Sequence, residues 1–125
     1  VEYYKKDDYP EFGQFTKIKE SIMESSAMVV FGLKQVKVEQ GKLYPNTSSE
    51  RSMGEKFLPT PWNELEAGMG LIRNLPILLV KDPSIDSGIF DEKLSECFVS
   101  TISTVDDIGN LDSNAEYQTW LSLIK

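Results

Sequence analysis

Thr60-Pro61-Trp62-Asn63-Glu64-Leu65-Glu66-Ala67-Gly68-Met69-Gly70-Leu71-Ile72-Arg73-Asn74-Leu75-Pro76-Ile77-Leu78-Leu79-Val80 is the stretch on which the fold class turns. Thr60 has the chemistry of an N-cap, and Pro61 follows at the first helical position, where a missing N–H leaves nothing unpaired. Trp62, Leu65, Met69 and Ile72 recur at helical spacing and form one apolar stripe, and Asn74 can end the helix in a left-handed conformation. Gly68 and Gly70 lie inside this helix, where each is about 1 kcal/mol less favourable than Ala, so close packing on a sheet is the expected reason for them. After Pro76, Ile77 to Val80 run without polar alternation, as in a strand buried on both faces, and Lys81, Asp82 and Pro83 end it.

Working outward, Phe15 to Ser25 places Phe15, Ile18 and Ile22 on one helical face with Thr16 near the start. Met28 to Leu33 is a second run without polar alternation, broken by Gly32, so helix and buried strand repeat and the expected class is α/β with a short parallel sheet. Lys34 to Pro59 turns polar and small, and reads as a long connection with an edge strand around Val36 and Val38. A third strand is expected over Phe98 to Thr104. Ser113 with Glu116 then forms a capping box ahead of a terminal helix whose stripe is Tyr117, Trp120, Leu121 and Ile124. No repeat interrupts the pattern, and residues 1–125 are expected to form one domain.

Composition narrows the function. The 125 residues carry thirteen Lys and Arg against twenty Asp and Glu, a net charge of −7, which removes the electrostatic footprint of nucleic-acid binding. No apolar run reaches the ~18 residues of a membrane span. The chain has no histidine, so Ser-His-Asp triads, Cys-His pairs and histidine-ligated metals are all excluded. The acidic residues are not spaced like a calcium loop, and no metal is expected. The one cysteine, Cys97, sits beside Phe98 and Val99; with no internal disulfide to make, it is read as a small buried hydrophobe in a reducing, cytoplasmic setting. The start at Val1, with Glu2, Tyr3, Tyr4, Lys5 and Lys6, is neither an initiator methionine nor a signal peptide, so a trimmed chain is expected.

Chemistry here must therefore come from carboxylates, hydroxyls, Lys or backbone. In an open parallel sheet the ligand crevice lies at the carboxyl ends of the strands, here at Gly32 and Leu33, the Lys34–Pro59 connection, the helix start at Trp62, and Lys81 to Ser87. Glu64 and Glu66 point about 200° apart on the helix, so one at most faces the crevice. With Leu65 and Met69 taken as the core side, Glu64 is expected in solvent as a surface acid near the helix start, and Glu66 at the border of the buried stripe. Burial raises the proton affinity of Glu66 and the helix end lowers it, and the sequence leaves these two opposed. The Asp82 to Asp86 loop, with Ser84 and Ser87, reads as ordinary turn chemistry.

Trp62-Asn63-Glu64-Leu65-Glu66, continuing to Leu75-Pro76-Ile77-Leu78-Leu79-Val80, resembles the tryptophan-x-x-x-glutamate helix and following strand of TIR domains, and Ile18 to Phe31 is similar to the helix and strand before it. Glu66-Ala67-Gly68-Met69-Gly70 also resembles the glutamate-x-glycine-x-small pattern of nucleoside 2-deoxyribosyltransferases. The resemblance covers roughly Phe15 to Asp82. It implies a small flavodoxin-like, Rossmann-like three-layer domain in which Glu66 is catalytic, cleaving or exchanging the N-glycosidic bond of NAD or a related nucleotide or nucleoside. Trp62 would shape the pocket, and the strand end at Gly32 and Leu33 would let the nucleotide approach the backbone. NAD or a nucleotide enters as substrate or ligand, with no further cofactor. A non-catalytic nucleotide sensor and a protein-interaction module, including a homo-oligomer, share the same implied fold. Both families place a strand before the Phe15 helix, and residues 1–14 are too few and too polar to supply it.

Overall fold

A computed structural model describes residues 13–93 and 96–124; the expectation about a first strand in residues 1–14 falls almost wholly outside them. The chain is a small α/β domain. Helix α1 (Gln14–Glu24) leads into β1 (Met28–Gly32), and α2 (Pro61–Ile72) crosses over to β6 (Ile77–Lys81). Strand β7 (Phe98–Thr101) and helix α3 (Ala115–Ser122) complete the layers. The three longer strands form a parallel sheet in the order β1-β6-β7, with Met28 beside Ile77 and Leu78 beside Phe98.

Strand β6 is buried along its whole length, as a central strand with both faces covered must be. Ile77 and Leu79 pack with Val30, Ala67, Ile85 and Phe90 on the α2 side. Leu78 and Val80 pack with Ile102 and Trp120 on the α3 side. Two hydrogen bonds pin α3 to the sheet. Trp120 Nε1–H donates to the Pro76 carbonyl at 2.9 Å, and the buried Ser100 hydroxyl donates to Asn114 Oδ1 at 2.8 Å. Asn114 Oδ1 also accepts from Tyr117 N–H at 3.0 Å, so the cap of the terminal helix is Asn114, one residue beyond the expected Ser113.

The connection after β1 differs most from its expected form. It is a β arm in two steps: β2 (Val36–Val38) pairs antiparallel with β5 (Lys56–Leu58), and β3 (Gly41–Leu43) pairs with β4 (Arg51–Met53) further out. Tyr44 and Asn46 take positive φ at its tip, and the Thr47 hydroxyl donates to the Tyr44 carbonyl. Three-residue strands carry too little alternation to stand out from a polar background. Strand β7 also ends earlier than expected, at Thr101.

The start and end of α2 follow the sequence. Asn63 Oδ1 accepts from both Thr60 N–H and the Thr60 hydroxyl, and Asn74 closes the helix at φ 57°. Its orientation does not. The residues turned to the sheet are Ala67 and Gly70, whereas Trp62, Leu65 and Ile72 are exposed, Ile72 by 86%. A Cβ on Gly70 would lie 2.9 Å from Met28 Sδ and 3.1 Å from Ile77 Cδ1, so the helix approaches the sheet at its smallest residues. Around Gly68 there is open space, and close packing does not account for it.

The glycines separate cleanly by experiment. A Cβ at Gly32 would stand 2.6 Å from Cε1 of the fully buried Phe90, so Gly32→Ala should lower stability by about 1–3 kcal/mol through overpacking. Gly68→Ala meets nothing and should raise stability by up to about 1 kcal/mol through helix propensity. Urea denaturation midpoints at unchanged m-value check both signs.

Candidate functional site

The two glutamates of α2 sit in different surroundings, and that of Glu64 is set by a loop twenty-five residues further along the chain. Asp82 N–H donates to the Gly32 carbonyl at the carboxyl end of the sheet, and the chain then turns through Asp82 and Ser84 towards the 3-10 turn Gly88–Phe90. Glu64, expected in solvent, reaches this turn: Ile89 N–H donates to Glu64 Oε2 at 3.1 Å. Gly88, at φ 58°, has no side chain to meet the Glu64 carboxylate, and a Cβ there would lie 2.5 Å from Oε1. Glu64 is therefore a clasp between α2 and the loop after β6.

Glu66 lies about 200° round the helix from Glu64, on the opposite flank. It is half-buried, and burial holds its proton affinity above that of an ordinary glutamate. The helix N-terminus does not offset this. No hydrogen bond or ion pair of the described residues engages its carboxylate, although a partly desolvated charge without a partner is unfavourable for folding. One turn earlier, the Trp62 ring lies against Phe15 with centroids 5.4 Å apart, which brings the start of α1 beside the start of α2.

The other expected contacts divide. Gly32 is buried and the room left by its missing side chain is taken by the Phe90 ring, so its glycine serves packing at that face. Leu33 continues from the strand end and packs on the α3-side core. Lys34 lies 4.0 Å from Asp82 and over the Phe57 ring at 4.5 Å, linking the strand end to the arm. The Asp82 loop is turn chemistry as expected: Ser84 N–H and its hydroxyl both donate to Asp82 Oδ1, and the side-chain bond does most to hold that carboxyl below the usual carboxylate range.

Lys81 was legible only as the end of a strand, yet its side chain is 4% exposed. Following Ile77 and Leu79 on the inward face, its ammonium donates to the Phe90 carbonyl at 3.0 Å and stands 3.6 Å from Glu92. A lysine directly after a four-residue apolar run, in phase with the buried positions, is the signal that marks it. With Glu64 it holds the Gly88–Phe90 turn from two sides.

Two surface recesses accompany these groups. One, of about 470 Å³, runs between α1 and α2 and is mainly apolar, with Ile22, Met23, Leu65, Met69 and Ile72 along it and Gly68 in its wall. The other, of about 350 Å³, brings Glu92, Cys97, Thr101 and Glu116 together beside β7. Glu66 borders neither. Among the described residues no group of three or more Cys, Asp or Glu side chains is placed to hold a metal ion. Among them, too, no helix is long and apolar enough to cross a membrane.

The state of Glu66 can be read from stability. A carboxyl whose folded-state pKa is raised contributes nothing below its unfolded pKa, near 4.3, and lowers stability as the pH rises above it. Glu66→Gln should thus be more stable than the parent at pH 7, with the gain disappearing at about pH 4. Thermal melts of both proteins across that range would show it, and an equal difference at every pH would place the effect elsewhere. No protein-family model, curated protein sequence or solved structure matches this chain.

Proposed function

We propose that this domain is a flavodoxin-like, TIR-like module that acts on the N-glycosidic bond of NAD or a related nucleotide, with Glu66 as the catalytic carboxylate. The observation that carries the proposal is the carboxylate of Glu66: half-buried, raised in proton affinity, without a hydrogen-bond or ion-pair partner among the described residues, and one helical turn from Trp62 near the carboxyl end of the parallel sheet. A desolvated acid retained at a fold's ligand-binding end is a functional candidate on physical grounds.

The chemistry suits the residues available. Breaking the bond between ribose C1′ and the nicotinamide nitrogen moves its electron pair to the nitrogen, and nicotinamide, cationic in NAD, leaves neutral without being protonated. No general acid is needed, which fits a chain without histidine. The carboxylate of Glu66 stabilises the positive charge on the ribosyl ring, or traps it as an ester that water then opens. Water adds to C1′ and its proton passes to the carboxylate and on to solvent. Ordinary nucleosides, whose neutral bases require protonation to leave, are poorer substrates on this reading. Trp62 flanks the sugar or base, and Leu33 with Lys34 offers the strand end to the phosphates.

Incubation with NAD and chromatography of released nicotinamide tests the proposal. The parent should release it, and Glu66→Gln should lose at least about a hundredfold in rate while still binding NAD by calorimetry. Absence of release by the parent overturns the enzymatic reading. The exposed apolar recess between α1 and α2 favours a second reading, a protein-interaction module, for which NAD would be neither consumed nor bound.

A further inference from the structure

Among the described residues, strand β1 has a neighbour on one side only. Met28 N–H donates to the Pro76 carbonyl and the Gly32 carbonyl accepts from Asp82 N–H, which fixes the alternation of the parallel ladder: Met28, Val30 and Gly32 turn their backbone groups to β6. Val29 and Phe31 therefore turn theirs outward, and no strand of the described residues pairs with them. Val29 is 37% exposed.

Sheet edges in soluble proteins are usually blunted by charge, proline, a bulge or a covering element. From Ala27 to Leu33 this edge has none of the first three: Ala27-Met28-Val29-Val30-Phe31-Gly32-Leu33 is uncharged, lacks proline and keeps unbroken register with β6. The backbone groups of an open, apolar edge are a template for another strand.

We propose that β1 pairs antiparallel with β1 of a second copy about a twofold axis at Val30, joining two three-stranded sheets into one of six. In this register Val29 faces Phe31 of the partner copy and Phe31 faces its Val29, both pairs of the hydrogen-bonded type, and Ala27 faces Leu33 at each end. Valine opposite phenylalanine is a favourable cross-strand pair. The twofold keeps the α2 layers of both copies on one face and the α3 layers on the other, so the cores continue across the junction. This assembly is independent of the chemistry proposed for Glu66.

Sedimentation equilibrium of the whole chain from micromolar to millimolar concentration should show a monomer–dimer equilibrium, with the Val29 and Phe31 amides protected from hydrogen exchange at the dimer end of the range. Val29→Pro removes one outward N–H and none of the inward ladder, so it should leave the urea midpoint near that of the parent and abolish the dimer. If that variant fails to fold, Val29→Lys places a charge on the same edge and should have the same effect. A chain that stays monomeric throughout overturns the proposal. So does a dimer that survives both Val29 variants and is lost with Ile72→Lys, which would place the contact on the α1–α2 recess instead.

Discussion

The fold depends on complete burial of the central strand, Ile77 to Lys81, between two neighbours and two apolar layers. Four of its five residues satisfy that environment through side chains alone, and the fifth, Lys81, does so by turning its ammonium onto the Phe90 carbonyl and Glu92. A buried ammonium is tolerated only when its donors find oxygen. The lysine thus requires the Gly88–Phe90 turn to fold back over the end of the strand. Phe90, carried by that turn, needs the space that Gly32 leaves on the neighbouring strand. One charged group at the end of one strand therefore fixes the position of the loop, the identity of a glycine on the adjacent strand and, through Ile89, the partner of Glu64.

Helix α2 takes its place under a related constraint. A helix that must come close to a sheet does so over small side chains, so the contact face is Ala67 and Gly70, and the most hydrophobic stripe faces away. This rotation decides the roles of the two acids. Taking Trp62, Leu65, Met69 and Ile72 for the core side puts Glu64 in water. With Ala67 at the core, Glu64 and Glu66 instead lie on opposite flanks, one clasped by the Gly88 turn and the other partly desolvated without a partner among the described residues.

The caps at Thr60 and Asn74 and the turn at Asp82 were readable because each rests on interactions within a few residues, and the parallel-sheet strands because their apolar runs are local even though their pairing is not. Asn63, Pro61 and Ser84 carry those signals locally. The clasp of Glu64 on Ile89 spans twenty-five residues and depends on where a separate loop lands, which no periodicity records. The stepped arm between β1 and α2 escaped for a different reason. Its strands are three residues long and sit among lysines, serines and glutamates, so its pairing is set by register and turn geometry more than by an apolar face. For Glu66 the position beside the buried face was readable from the helix while the direction of its shift was not, since that is set by how deeply α2 lies beside its neighbours.

The arrangement of α2 also bears on what a site at Glu66 can be. Glu64 holds the loop after β6 against one flank, so that side of the helix is occupied by the protein's own backbone. The flank of Glu66 and Trp62 is closed at one end by the Trp62–Phe15 contact, which belongs to α1. On the reading proposed for Glu66, a ligand would therefore approach from the flank of Trp62 and the start of α1, and not from that of the loop that follows β6. The loop after β6 is tied at two points, to β6 by Lys81 and to α2 by Glu64. On the proposed reading, a carboxylate on a helix tied to that loop would be positioned before a substrate arrives, and such preorganisation is what a single acid needs to stabilise a short-lived cation.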